Sequence, residues 1–513
     1  MLAHRCSART SSSILLVFVL AIVFLTARRV HNPRAPPPPP DRATWRDGDM
    51  SKACPQDLEF LRTKDLALTQ KIVYTRRCIR PVRGDVDRDV VANVSSPLVT
   101  TKTILNLADG CSSAEPPPCE PLSLHVPPAY PKPEHQYQHL VFGVASSYGR
   151  LQDALPTFAH WLSGSGAALI VVVADADQPD ANFDLAALEA AYRNLSIDAT
   201  VIAPKLKTGL PRKDTPANEP LPSPAPVEQL HFLLIRDMLE FATPQTQWLG
   251  VLDDDTFFPS LHPLSGMLQQ HNHSAPVWLG ALADNLESIR KWGYMSYGGA
   301  GVFLSMPLAR QLAPHLDSCI RKTTIISGDG MLRDCIYLNT PTKLTVVPEL
   351  YQHDMRGDPA GFYESGRRVL SVHHWKSWYN APVDKMAAVV RVCGDCFLQR
   401  FRLGDDTLLA NGYSVSVYRA GLLPTLDLGR IEGTWGGWGG SDFDFVYAPF
   451  RPPLAPEDKK SYRLVGVAEE PAATVNGVPA KLRQFYVHRT TTEEEKKGKD
   501  SAMDEVIELV WEG

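Results

Sequence analysis

Three consecutive carboxylates, Asp253, Asp254 and Asp255, follow the apolar run WLGVL at 248–252 and precede Thr256, Phe257 and Phe258. Five apolar residues are enough for a buried strand of a parallel sheet, and in open α/β sheets ligands bind just beyond the carboxyl ends of strands. Three adjacent acids repel one another unless a cation or hydrogen-bond donors offset them. A hard divalent cation shared with a phosphorylated ligand meets that need most economically. The plain alternative is an acidic turn at the surface, and the preceding strand weighs against it.

Three further stretches carry residue types that do chemistry. YGGAGVFLS at 297–305 is a glycine-rich turn feeding an apolar strand; Gly298, Gly299 and Gly301 allow backbone to approach a ligand closely, or serve a tight turn. It does not match Gly-x-Gly-x-x-Gly, which disfavours a dinucleotide site of that kind. SGDG at 327–330 sets Asp329 between two glycines, open to a pocket or at a helix start. VLSVHHWKSW at 369–378 carries adjacent His373 and His374.

These groups need a scaffold, and the pattern around them is that of an α/β protein with a largely parallel sheet. LVFGVASS (140–147) and ALIVVVA (168–174) read as strands, with helices expected over 151–162 and 185–194 and a short strand at 200–203. Pro-rich 211–226 reads as a surface loop. Val227, Leu230, Leu234, Met238 and Phe241 share a helical face that leads into the 248–252 strand. Strands are expected at 277–282 and 344–348, with a helix over 308–316. From about 401, alternating segments at 413–418, 443–447 and 482–487 suggest a β-rich appendage with a charged loop at 493–499. Residues 45–134 read as a mixed, irregular stem with a helical stretch near 55–73.

The 513 residues are 44% hydrophobic and 21% charged with a formal net charge of −5, so nothing marks a nucleic-acid binder. The run ILLVFVLAIVFLTA at 14–27 is the membrane-grade segment. With Ser11–Ser13 it matches the short end of a spanning helix, which needs roughly 17–25 residues. A poor cleavage pattern before position 28 favours an uncleaved signal-anchor over a signal peptide. Five consecutive prolines at 36–40 make an extended stalk. Sequons at Asn93, Asn194 and Asn272, and eight cysteines beyond Cys6, suit an oxidising lumen. Nearest neighbours in sequence pair Cys54 with Cys78, Cys111 with Cys119, Cys319 with Cys335 and Cys393 with Cys396; the lone Cys-x-x-Cys at 393–396 reads as structural rather than metal-binding or redox-active.

In order and rough spacing, the strand with Asp253-Asp254-Asp255-Thr256-Phe257, the 297–305 glycine block, the acidic element at Asp329 and Ser371-Val372-His373 together resemble the Fringe-like members of the inverting glycosyltransferases of family 31, the group that also holds core-1 β-galactosyltransferases. The resemblance covers about 135–400. It implies a GT-A-type nucleotide-sugar-binding fold, a mostly parallel sheet with flanking helices, and a metal-dependent inverting transfer from a UDP-sugar to a glycan or glycoprotein hydroxyl. It assigns Asp255 and His373 to Mn2+ or another divalent cation, Asp254 to the nucleotide or the metal surroundings, Asp253 to a supporting role, and the glycine block to the donor. His374 is the alternative metal ligand, a phosphate donor or a core residue. Asp329 stands in the place of the family base, although the usual Pro-Asp-Asp element is here Ser327-Gly328-Asp329-Gly330. The expected layout is a cytosolic tail (1–10), a transmembrane signal-anchor (11–27), a stalk and stem (28–134), the catalytic region (135–400) and the appendage (401–513), a single-pass type II protein of the Golgi or endoplasmic reticulum.

Two rivals stand beside this reading. A dehalogenase-type phosphatase also places Asp-x-Asp after an apolar strand, but it needs Thr or Val where this chain has Phe257. A non-catalytic luminal glycan-binding scaffold would use Trp435, Trp438, Phe443 and Phe445 to stack on sugars, although such aromatics are more often core.

Overall fold

The computed structural model describes residues 56–513 apart from 64, 110–117, 132–135, 179–182, 437–443, 471–480 and 491–502. The expected anchor at 11–27, the proline stalk, Cys54, Cys111, Trp438, Phe443 and the 493–499 loop lie outside the described residues. Among the described residues, no helix is long and apolar enough to cross a membrane.

The runs read as buried strands form the centre of a seven-stranded sheet. Its strands are β1 (Leu140–Ser146), β2 (Ala168–Val173), β3 (Asp198–Ile202), β4 (Trp248–Leu252), β5 (Trp278–Gly280), β6 (Val302–Ser305) and β7 (Leu344–Val346), in the order β7-β5-β6-β4-β1-β2-β3. The pairs β1/β2, β1/β4, β2/β3 and β5/β7 are parallel; β6 runs antiparallel to both β4 and β5. Every residue of β1 and β4 is buried, as expected of parallel strands covered on both faces. This is the expected α/β arrangement.

Three helices carry site residues: α1 (Tyr148–Asp153), α2 (Val227–Phe241) and α3 (Gly328–Asn339). The apolar face of α2, including Leu230, Leu234 and Met238, packs on one side of the sheet with Val141, Leu249 and Val251. It sits close because β1 offers Gly143 beneath it; a Cβ there would lie 2.9 Å from the Met238 sulfur. The helix thereby holds His231 at the carboxyl end of β4.

The second sheet departs from the expected division. Strand Lys71–Arg83 pairs in parallel with Asp504–Glu512, and also with Glu120–Val126, inside one ten-stranded sheet that includes Arg400–Leu403, Thr407–Ala410, Ser414–Tyr418, Lys459–Glu470 and Lys481–His488. Residues read as an irregular stem are thus built into the β-rich C-terminal part. The helix expected near 55–73 is only Gln56–Glu59 with a 3-10 turn at Phe60–Arg62. The segment at 443–447, expected as a strand, is helical over Asp444–Tyr447. One continuous core joins the two sheets, from Ile79 and Leu124 through Phe142 and Leu252 to Leu409 and Trp511.

The sulfur pairing also differs. Cys78 bonds Cys119, 41 residues on, because parallel pairing sets Cys78 opposite Pro121. Cys78 therefore does not join Cys54, and Cys119 does not join Cys111. The pairs Cys319–Cys335 and Cys393–Cys396 form as expected.

Candidate active site

The β4 strand ends at Leu252, and the three acids leave it in three directions. Asp254 accepts from the Ser146 hydroxyl at the end of β1 and takes a two-pronged contact from the Arg150 guanidinium on α1. Asp253 meets His231 Nε2 at 3.1 Å. Asp255 meets His373 Nε2 at 2.9 Å, and that nitrogen also lies 3.4 Å from Asp253.

A short backbone bridge explains how residues so distant in sequence meet. Phe257 N donates to Val372 O at 3.0 Å, and Val372 N returns a bond to Phe257 O at 2.9 Å. The Trp375 indole N–H adds a 2.7 Å bond to the Asp255 carbonyl, and the Tyr379 hydroxyl donates to the His373 carbonyl at 3.1 Å. The glycine-rich turn is clamped to both strands of the bridge: Thr256 Oγ1 donates to Gly299 O at 3.0 Å, and Ser371 Oγ donates to Ala300 O at 2.6 Å. Gly299 is required by closeness, because a Cβ there would fall 2.2 Å from the His373 ring. Gly301 is required by conformation, with φ of 92°. Gly298 lends its N–H to Asp329 Oδ1 at 3.0 Å, and Asp329 lies in the first turn of α3, which Ser327 caps.

The charges are strongly coupled. Burial opposes the charged form of His373, but the hydrogen bond and charge of Asp255, with Asp253 and Asp354 beyond, outweigh it and lift the imidazole to about 9. The same pairing holds Asp255 below the usual carboxylate range against its own burial. Burial also opposes charge on His231, yet Asp253, Asp329 and Glu228 raise it, and His231 in turn helps hold Asp253 low. Burial, followed by the charge of His373, drives His374 down to about 3, leaving it neutral. Burial, with the Asp253 charge, raises Asp329 to about 6, although His231 and the Gly298 amide pull the other way.

A cavity of about 650 Å3 opens over this cluster, between Ser146, Arg150, Asp175, Pro224 and Trp378. That volume lies within the usual range for small-molecule sites, about 300–1,000 Å3. Its walls carry four carboxylates, Asp175, Asp253, Asp254 and Asp255, and Arg150 is already committed to Asp254. An anionic ligand needs a further cation there.

The side chains present fit one. Asp255, His373 and His374 bring one ligand atom each to within 4.8 Å of one another. His373 Nδ1 is buried without a hydrogen-bond partner among the described residues. Carboxylate oxygen with imidazole nitrogen suits a first-row divalent ion, and a bound ion would require His373 without its proton on the ligating nitrogen.

Asp253, Asp254, Asp255, His373 and His374 line the cavity, whereas Gly298, Gly299, Gly301 and Asp329 do not line it: Gly299 packs against the His373 ring and Gly298 against His231 and Asp329. The sequons lie elsewhere: Asn93, Asn194 and Asn272 are exposed, on a strand, a helix end and a turn. Sequence reasoning missed His231, Ser146 and Arg150. His231 was hidden beside Leu230 on an apolar helix, whereas Ser146 and Arg150, four residues apart at the first strand–helix junction, were a readable signal for one side of the site.

Comparisons with known proteins bear on part of the chain. Residues 290–391 match a family described as "Protein of unknown function, DUF604". A stretch of 113 residues is 32% identical to chondroitin sulfate synthase 2 of Mus musculus and, equally, of Homo sapiens, covering 22% of this chain and 14% of each relative. The chain thus spans about a seventh of the length of these relatives. Among solved structures, mouse xyloside xylosyltransferase 1 aligns with 14% identity and a TM-score of 0.26 over 46% of this chain and 96% of that one. The galactosyltransferase LgtC, solved with donor and acceptor sugar analogues, aligns with 12% identity and a TM-score of 0.28 over 47% and 87%. Likenesses this weak carry no weight for the fold, which rests on the strand order itself.

Proposed function

We propose that this chain is a metal-dependent inverting glycosyltransferase that moves a sugar from a UDP-sugar to a hydroxyl of a glycan or glycoprotein in the secretory pathway, on a GT-A-type fold. The observation that carries the reading is the Asp255–His373–His374 cluster at the carboxyl end of β4, opening into an acid-walled cavity of nucleotide-sugar size. The partial identity to chondroitin sulfate synthase 2 supports it.

In this mechanism Asp255 and His373, with His374 as a third donor, would hold the divalent ion, Mn2+ in the first instance. When bound, that ion supplies Lewis-acid stabilisation of the diphosphate as negative charge grows on it. Arg150 fixes Asp254, and Gly299 and Gly298 leave room for the His373 and His231 rings that meet Asp255 and Asp253. Asp329 takes the proton of the acceptor hydroxyl. The acceptor oxygen bonds to the anomeric carbon on the face opposite the departing phosphate oxygen, that C–O bond breaks, and UDP leaves with the electron pair.

A base raised to about 6 gives a defined pH response. Transfer should climb as pH rises through about 6, because Asp329 must lose its proton. The His231 charge holds Asp329 down, so His231→Gln should move the acid limb of the pH–rate profile to higher pH; a limb that stays in place contradicts the role of Asp329. The proposal as a whole is tested by a screen of UDP-sugars for turnover with Mn2+ and with EDTA. Metal-dependent release of UDP from at least one donor is expected, and metal-independent behaviour throughout rejects it.

The anchored, luminal topology belongs to the same proposal and rests on the 14–27 run and the sequons.

A further inference from the structure

Two buried carboxylates stand behind the Asp255–His373–His374 cluster. Asp284 and Asp354 are 2% and 4% exposed, and neither lines the cavity. Asp354 N donates to Asp284 Oδ2 at 3.1 Å, and the Asn285 side-chain amide donates to Asp354 Oδ2 at 3.0 Å. Asn285 is itself fixed, because its side-chain oxygen accepts from Ser288 N at 2.7 Å at the start of the helix Leu286–Trp292. Among the described residues neither acid has a lysine or arginine partner; the basic group that reaches Asp354 is His374, with Nε2 at 3.8 Å from Oδ1. Buried charges are ordinarily paired or set beside a metal.

The backbone explains how Asp354 and His374 meet. Leu350 pairs with Ser371 in a parallel bridge, so the two segments run on side by side and bring Asp354 to His374. His374 then leaves the extended path, with φ of 57°. That left-handed conformation costs free energy in a residue with a Cβ. In an extended chain neighbouring side chains point to opposite faces, yet here the ring centroids of His373 and His374 lie 3.8 Å apart. The strained turn is held firmly. Ser377 N and Trp378 N each donate to the His374 carbonyl at 3.1 Å, and the Trp378 ring stacks on the imidazole at 4.1 Å. Strain kept in place by its surroundings points to a functional constraint.

The two ring nitrogens of His374 face different surroundings. Nδ1 lies 3.2 Å from the hydroxyl of Ser377, a cavity-lining residue, whereas Nε2 faces the buried Asp354. We propose that Asp354 is a positioning residue of the metal site, which keeps the proton of His374 on Nε2 and so leaves the Nδ1 lone pair for the divalent ion. The inference rests on the metal site of the transferase reading and adds the residue that selects the ligating nitrogen. A histidine ligand whose far N–H meets a carboxylate is better oriented and more basic. The 3.8 Å separation is longer than a hydrogen bond; ligation through Nδ1 makes the Nε2–H a stronger donor and draws ring and carboxylate together. The positive charge then present offsets Asp354 and Asp284, which otherwise oppose each other.

The test uses the full chain with Mn2+ as the probe. Asp354→Asn keeps the side-chain shape, can still accept from the Asn285 amide, and loses the charge. Calorimetric titration of Mn2+ with UDP present should show a Kd raised about tenfold or more. The thermal midpoint in EDTA should hold or rise, because one of two opposed buried acids is gone. A merely structural acid gives the reverse pattern, a lower midpoint with an unchanged Kd, and that result overturns the inference. Asp284→Asn removes the charge that does not reach His374 and should leave the Mn2+ Kd within about threefold. Equal weakening by both variants would mean a general field instead of positioning, and also overturns it. Nitrogen NMR of the histidine-labelled wild type in EDTA, with His374→Gln to assign the signal, decides the matter even if Asp354→Asn does not fold. Nδ1 of His374 should be the unprotonated nitrogen; a proton resident there contradicts the assignment. A wild type that binds no Mn2+ removes the metal reading and this inference together. A wild type that binds it, beside an Asp354→Asn protein that binds within about twofold as well, removes this inference alone.

Discussion

Asp255→Ala is expected to lower metal-dependent UDP-sugar turnover by roughly a thousandfold. Stabilisation of the diphosphate by a bound metal is worth several kcal/mol, and about 4 kcal/mol corresponds to three powers of ten in rate. The geometry makes this residue the keystone, because its carboxylate contacts His373 at 2.9 Å while its carbonyl is fixed by Trp375. Removing the carboxylate also removes the first cause that holds His373 up near 9 against burial, so the imidazole should titrate closer to its ordinary value in the variant, a change readable by NMR. His373→Ala should match Asp255→Ala in activity. A variant at Asp255 that keeps more than a tenth of wild-type turnover contradicts the assignment.

The second large effect lies away from the chemistry. Lys459 sits between two buried carboxylates, 2.5 Å from Glu364 and 2.7 Å from Glu432, with all three side chains about nineteen-twentieths buried. Glu364 ends the helix Ala360–Glu364, eight residues after Arg356, which lies over the cavity residue Trp378, and also binds Arg463, Ser414 and Ser416. The cluster fastens the helix Ala360–Glu364 and the short strand Ile431–Glu432 to the ten-stranded sheet. Lys459→Met leaves buried acids short of a partner, which costs about 3–5 kcal/mol and should lower the thermal midpoint by roughly 5–10 °C. A change of less than about 2 °C would show that apolar packing alone holds the helix Ala360–Glu364 to the ten-stranded sheet. Burial would raise Glu364, but Lys459 and Arg463 overcome it and bring it to about 2 from an ordinary 4.5. A depressed acid contributes stability that is fully present above 4.5 and is lost as pH falls towards 2. Acid unfolding of the wild type should therefore steepen below about pH 4.5, and the Lys459→Met protein should show less of that slope.

What the chain reveals in advance follows from how local each signal is. Strands β1, β2 and β4 are legible because central parallel strands are continuous apolar runs, and the acids just past β4 fall where such sheets bind ligands. The glycine block and Ser371-Val372-His373 are legible as motifs, although only the Phe257–Val372 bridge shows how they close on Asp255. Pairing over long separations leaves no local trace. Strand Lys71–Arg83 meets Asp504–Glu512 across more than four hundred residues, and the Cys78–Cys119 bond follows from the parallel register of a strand that reads as irregular stem. The aromatic alternation at 443–447 resembles a strand, yet four of its residues make one helical turn whose Tyr447 is buried against Phe362 and Trp435. His231 escapes because a single polar residue on an amphipathic helix says nothing until Asp253 is placed beside it.

The central claim is that the acid-walled cavity takes a nucleotide diphosphate only together with a divalent ion. Calorimetric titration of UDP into the purified chain, with Mn2+ and again with EDTA, addresses it directly. At least a tenfold tighter Kd with Mn2+ is expected in the wild type, about 1.4 kcal/mol, and no such gain in Asp255→Ala. Equal UDP affinity with and without the metal, or an Mn2+ effect that survives in Asp255→Ala, would contradict it.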